Sequence, residues 1–215
     1  MLPYRDTCGR SRVGRGRGEQ HEAQVRLLGD AALRVLARDG LPGLTFRTVA
    51  TEASVSPGRV QHYARSSAGL LALTFQRIRE LTAERVREAV TSLPSPAPAD
   101  VVEATLLALI PQGERDRTTL RVAAAVELHA LTDPERAEEL RGGRAELIGF
   151  LADQLARLPE AAAADPRHLT RTATALLATA EGLSTLTLTN AIEAGEARQT
   201  VASSIRAFRS QLTGT

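Results

Sequence analysis

From Gln24 onward the apolar side chains recur with the period of an α-helix. Val25, Leu28, Ala32 and Val35 fall at i, i+3, i+7 and i+10, with Arg26, Asp30, Arg34 and Arg38 on the other faces. Gly40 predicts the end of this first helix, and "GLPG" (40–43) reads as a turn. Thr45 then stands as the N-cap of a short second helix, with Leu44 and Val49 at the two positions of a hydrophobic staple. Ser56 caps a third helix over about 57–64. Pro57 sits at its first position, where a missing N–H costs nothing, and Val55 and Val60 form a second staple. Ser66 caps a fourth, longer helix in which Leu71, Phe75, Ile78 and Thr82 make one stripe up to about Val90.

The Pro-rich "LPSPAPAD" (93–100) predicts a linker and a domain boundary. Beyond it, Asp100 and Glu103 have capping-box spacing before "VVEATLLALI", and "TTLRVAAAVELHAL" (118–131) reads as a helix ended by "TDP". Residues 134–158 make one helix or two, because Gly142-Gly143 removes about 2 kcal/mol of helix propensity. "ADPRHLT" repeats the cap-then-proline opening before 166–191. Within that stretch "STLTLT" alternates like a strand, but its Ala-rich surroundings and lack of a partner strand favour a helix. A last helix over 196–212 places Ala197, Val201, Ile205, Phe208 and Leu212 on one face. The expected fold class is all-α, with about nine helices.

Composition narrows the function classes. Hydrophobic residues make up 43% of the 215, as in soluble globular proteins. No apolar run approaches the roughly 18 residues of a membrane span, and the N-terminus has no apolar signal region. A cytoplasmic protein without membrane attachment is expected. The single cysteine, Cys8, and the scattered His21, His62, His129 and His168 offer no metal-ligand spacing, so no metal or cofactor is expected. With no phosphate-binding glycine loop, nucleophile elbow or paired acid motif, no catalytic residues and no enzyme are expected. Charge is uneven along the chain. Residues 1–90 hold 15 Arg against 9 acidic residues, a net of +6, whereas 91–215 hold 12 Arg against 16, a net of −4. The front half therefore favours a polyanion, and every cation in it is an arginine, whose planar fork suits phosphate and guanine. Residues 1–20, with five Arg and four Gly, read as a disordered basic arm that either touches DNA or is an inert extension.

Two short capped helices joined by a three- or four-residue turn are the signature of a helix-turn-helix. The stretch 40–71, "GLPGLTFRTVATEASVSPGRVQHYARSSAGLL", resembles the DNA-binding domain of the TetR-type transcriptional regulators. The resemblance rests on Thr45, Val49-Ala50, Val55-Ser56, Gly58, Val60, Tyr63, Ser66 and Leu70-Leu71. Ser54, Ala64, Ser67 and Ala68 depart from that pattern, where a glycine, a phenylalanine, a lysine and an acidic residue are usual; Arg65 is at hand to supply the charge that Ser67 lacks.

The resemblance implies a basic arm (1–20), a three-helix DNA-binding domain (21–66), a connecting helix four (67–92) and a helical ligand-binding and dimerisation domain (93–215). It also implies a ligand-responsive, sequence-specific regulator, a repressor in the usual case, acting as a homodimer on a near-palindromic double-stranded DNA operator. Arg59 and Gln61 become candidates for base edges in the major groove, with His62 beside them and Gly58 allowing a close approach. Tyr63 and Arg47 become candidates for phosphate contacts, Thr45 and Ser66 for combined cap and phosphate roles, and Arg65 for a further charge. The stripes around Leu176, Leu183 and Leu186 and the Val201–Leu212 face fit a dimer interface, or else the core of the chain itself. Glu127, His129 and Glu181, polar on otherwise apolar helices, either line a pocket for an unknown small-molecule effector or are exposed or core residues. A second reading stays open: a helical small-molecule binding protein whose operator affinity is weak or lost.

Overall fold

The computed structural model describes residues 12–213, so residues 1–11 of the expected arm lie outside the described residues. Among the described residues there are nine α-helices and no strand. They are α1 (Arg12–Gly43), α2 (Phe46–Glu52), α3 (Pro57–Ala64), α4 (Ser67–Thr91), α5 (Pro98–Leu107), α6 (Glu114–Ala130), α7 (Pro134–Ala156), α8 (Pro166–Leu188) and α9 (Ala194–Thr213). A single 3₁₀ turn, Pro159–Ala161, precedes α8. The all-α expectation holds. The chain divides into two compact units, one running to Arg77 and one from Ile78, so the division falls within α4 and not at the Pro-rich 93–100.

Residues 12–20, expected in the arm, belong to α1. Gly40 breaks that helix as its sequence predicts: at φ 67° and ψ −172° it sits where a side chain is disfavoured, and one short turn follows before Thr45. The glycine pair at 142–143 does not divide α7, and "STLTLT" is helical within α8. The start of α5 differs from expectation. Pro98, not Val101, opens it, and the Asp100 carboxylate accepts the Ala97 N–H at 3.0 Å from the third helical position. A proline pre-set to helical φ moves the start upstream of the acidic pair.

In the first unit Leu28, Ala31, Ala32, Val35, Val49, Val60, Leu70 and Phe75 form the core. α1 meets α4 at Gly29, where a Cβ would lie 2.7 Å from Arg77 Cβ, and the Arg77 guanidinium reaches Asp30 at 2.7 Å beside it. Glu52 at the end of α2 accepts from Arg34 (2.6 Å) and Arg38 (3.0 Å) of α1, pinning the two helices together at the surface. Hydrogen bonds from Arg34 and Arg38 hold the Glu52 carboxyl below the ordinary glutamate value of 4.5. At the junction of α3 and α4 the Ser66 N–H reaches the Ala64 carbonyl at 2.6 Å. A Cβ on Gly69 would lie 1.6 Å from that same oxygen. The backbone at Ala64 therefore requires a glycine at 69. In the second unit Val102, Leu106, Leu151, Leu155, Leu169, Leu177, Val201, Ile205 and Phe208 form a core shared by α5, α7, α8 and α9.

Two outcomes follow for stability. A carboxyl whose folded pKa is depressed stabilises the fold above its unfolded value and loses that contribution as pH falls through the folded one. Thermal unfolding of Glu52→Gln against wild type should thus show a lower Tm for the variant at pH 7, with the gap closing below pH 4.5. A gap that does not change with pH would remove the ion pairs as its cause. Gly69→Ala must displace backbone, an overpacking cost of about 1–3 kcal/mol, read as a fall in Tm.

Candidate nucleic-acid interface and ligand unit

The reading helix is positioned from both ends. α2 ends with the Ser54 N–H on the Thr51 carbonyl (3.2 Å) and the Val55 N–H on the Ala50 carbonyl (2.9 Å), a Schellman arrangement. Ser54 occupies the left-handed position of that motif at φ 57°, a conformation that costs a non-glycine about 1 kcal/mol. Two residues on, the Ser56 hydroxyl accepts the Arg59 N–H at 3.3 Å, and α3 starts with Pro57 at its first position. Arg65, at φ 56°, ends α3 with its N–H on the Gln61 carbonyl, and the Ser66 hydroxyl accepts the Gly69 N–H at 3.0 Å to cap α4. On α2, Thr45 and Thr48 exchange side chain for backbone N–H at 3.1 and 3.0 Å, a complete capping box.

These constraints turn Val60 and Ala64 inward and leave the chemistry outside. Thr45, Arg47, Ser56, Gly58, Arg59, Gln61, His62, Arg65 and Ser66 are exposed, and Tyr63 is half-buried. No atom comes within 4 Å of where a Cβ on Gly58 would stand, so that position is open. The arginines of this unit fall into two classes. Arg34, Arg38 and Arg77 pair with carboxylates within 3.0 Å. Arg47, Arg59 and Arg65 pair with none among the described residues, and the sequence between Glu52 and Glu80 has no acidic residue. One contact escaped the sequence reading: His21 of α1 lies 5.1 Å from Tyr63, ring centroid to ring centroid. Nothing in the local pattern signals it, since the two residues are far apart in the chain.

In the second unit, Arg144 of α7 bridges Glu127 of α6 (3.0 Å) and Glu181 of α8 (3.1 Å). Burial alone would lower the Arg144 pKa, but the two carboxylates outweigh it and raise it, keeping the guanidinium charged. His129 is exposed in the last turn of α6, and its ring takes no part in that cluster. A separate cavity of about 440 Å³ opens between the last turns of α4, α5, the start of α6 and α9. Arg85, Glu88, Leu107, Gln112, Asp116 and Arg198 line it; Glu127, His129 and Glu181 do not. Arg85 donates to the Ile110 carbonyl at 3.1 Å and lies 3.3 Å from Asp116; its pKa is lowered by burial, which the field of Asp116 opposes. No local pattern signals this cavity, because its walls come from four separate helices.

The helical stripes that fit either a dimer interface or the chain's own core fall mostly to the core. Leu176, Val201, Ile205 and Phe208 are buried in their own chain's core, so these residues are intrachain packing. Leu183 packs partly against that core, Leu186 is 44% exposed, and the Leu212 side chain lies outside the described residues. Among the described residues no group of three or more His, Cys, Asp or Glu could hold a metal ion. No helix among them is long and apolar enough to cross a membrane.

Comparison with known proteins bears on both units. Residues 96–210, more than half of the chain, match the TetR C-terminal family described as "BetI-type transcriptional repressor, C-terminal". The HTH-type transcriptional regulator PksA of Bacillus subtilis is 29% identical over 111 residues, 51% of this chain and 53% of PksA, so the match spans about half the length of that relative. Two solved structures share the fold. A transcriptional regulator from Rhodococcus sp. Rha1 superposes with a TM-score of 0.72 at 24% identity, over 85% of this chain and 94% of its own. A regulator from Saccharomonospora viridis, solved with choline, gives 0.72 at 18%, over 87% and 97%. Together with the all-helical fold and its capped helix-turn-helix, the family match shows that this chain belongs to the TetR family of transcriptional regulators.

Proposed function

We propose that the protein is a homodimeric, ligand-responsive repressor that binds a near-palindromic operator through α3. The observation that carries this reading is the division of arginines in the first unit. Arg47, Arg59 and Arg65 are exposed and uncommitted on the helix-turn-helix, while Arg34, Arg38 and Arg77 are spent on internal pairs. A free guanidinium beside an open Gly58 and the start of a helix suits a groove edge and the phosphates that border it. α3 is only eight residues long and reads few base pairs, so specificity asks for two copies, about 34–36 Å apart on the duplex. Because the leucine stripes of α8 and α9 are used within the chain, the surface left for pairing on α8 is its outward row of Ala178, Gly182 and Leu186. Small residues there let two helices approach closely.

The cavity that reaches α4 is the candidate effector site. A ligand in it would touch Arg85, Glu88 and Ser92 near the end of the helix whose first residues follow α3, and so could bias one state of α4 over another. Choline is bound by the Saccharomonospora viridis protein, but that ligand does not transfer to this chain. A quaternary ammonium is held chiefly over aromatic faces, and none of the residues lining the cavity is aromatic. The walls of arginine, acid, amide and alanine favour a small amphipathic ligand held by hydrogen bonds and charge. The rival reading, a ligand-binding protein with lost operator affinity, draws on Ala64, small where a phenylalanine is usual, and on Ser67 without a charge.

DNA flanking the protein's own gene should contain a site that outcompetes random duplex, with log K falling against log salt at a slope near −0.9 per phosphate contact. The absence of any such site would exclude the repressor reading. Arg59→Ala should cost about 1–3 kcal/mol and relax preference at one or two bases; a uniform loss across sequences would make Arg59 a phosphate contact instead. Gly58→Ala separates binding from folding. With open space around the new methyl group it should unfold at the wild-type temperature or slightly above, yet bind the operator more weakly.

A further inference from the structure

His21 lies on α1, outside the helix-turn-helix, yet its ring stands 5.1 Å from that of Tyr63 with the planes 35° apart. His62 also meets that ring, edge-on, at 5.1 Å and 87°. Tyr63 is thus in contact with two imidazoles, one from its own helix and one from α1. His21 is exposed, so the core does not need it. Among the described residues it makes no hydrogen bond or ion pair, and its ring contact is with Tyr63. The Tyr63 ring is half-buried.

We propose that His21 is a positioning residue for DNA binding, acting through Tyr63. An aromatic side chain that reaches for a phosphate must give up rotamer freedom, and a neighbouring ring that already restricts it lowers that cost of binding. Offset or edge-on ring pairs supply such restraint without burying the group. The inference rests on the reading of Tyr63 as a contact to the DNA backbone, and it gives the α1 turn at His21 a part in the surface otherwise formed by α2 and α3.

The full-length protein tests it by titration with its operator, comparing wild type, His21→Ala, His21→Phe, Tyr63→Ala and the double variant His21→Ala/Tyr63→Ala. His21→Ala should weaken binding roughly three- to tenfold, the size of one aromatic pair, and His21→Phe should restore most of it. The salt slope should be unchanged by either, and His21→Ala should add nothing in the Tyr63→Ala background. The chain has no tryptophan and two tyrosines, so in a Tyr4→Phe background Tyr63 is the lone strong fluorophore. Its emission in the free protein should change on His21→Ala.

Wild-type affinity for His21→Ala, or unchanged emission, overturns the proposal. So does a His21→Phe variant as weak as the alanine variant with a slope lower by about 0.9, which would make His21 itself a phosphate contact. If Tyr63→Ala binds as wild type, the reading of Tyr63 fails and the proposal falls with it. If Tyr63→Ala is weakened and His21→Ala is not, the proposal alone fails.

Discussion

A helix of eight residues is too short to hold itself in water, and α3 is such a helix. It persists because both ends are fixed and one face is buried. Ser56 takes up the Arg59 N–H, Pro57 supplies the first helical φ without an N–H to satisfy, and Val60 is fully buried. At the far end Arg65 turns left-handed, and Ala64 rests against Gly69 of the next helix. Every exposed side chain on the outer face of α3 takes its direction from those restraints. They are also what allows the outer face to carry residues that add nothing to stability.

That arrangement explains what the sequence made legible. Caps and helix starts are short-range chemistry, decided within four residues, so Thr45, Ser56-Pro57, Ser66 and Asp165-Pro166 could be located from their neighbours alone. The exposed set on α2 and α3 followed once the caps were placed, because Val60 fixes which face is inside. What the sequence did not disclose depends on distant residues. An apolar stripe such as Leu176 with Val201, Ile205 and Phe208 looks the same whether it packs on its own chain or on another copy. The cavity beside Arg85 and the bridge from Arg144 to Glu127 and Glu181 each draw on several helices at once. The start of α5 was missed for a local reason: an acidic pair with cap spacing competed with a proline three residues upstream, and the proline prevailed.

The departures from the TetR-type pattern read differently in three dimensions. Ala64 is buried, and the backbone of its residue passes so close to Gly69 that no Cβ fits there; that constraint comes from the chain path at the α3–α4 junction and not from the side chain at 64. Ser54 adopts the left-handed conformation at a cost that the Schellman hydrogen bonds around it offset.

Charge follows the same economy. A unit whose cations are all arginine could scatter its field over the whole surface. Here Arg34 and Arg38 are balanced by Glu52 and Asp39, and Arg77 by Asp30; the Glu52 and Asp30 pairs tie α1 to another helix. Exposed pairs of this kind contribute little stability each and are screened by salt. Their second consequence is electrostatic: they cancel positive charge along α1, leaving Arg47, Arg59 and Arg65 as the uncompensated cations of α2 and the α3 end. A long-range field of this kind is strongest toward the exposed face of α2 and α3. The internal ion pairs and the free arginines are two parts of one charge distribution, and removing Glu52 would alter both the scaffold and the direction of its field.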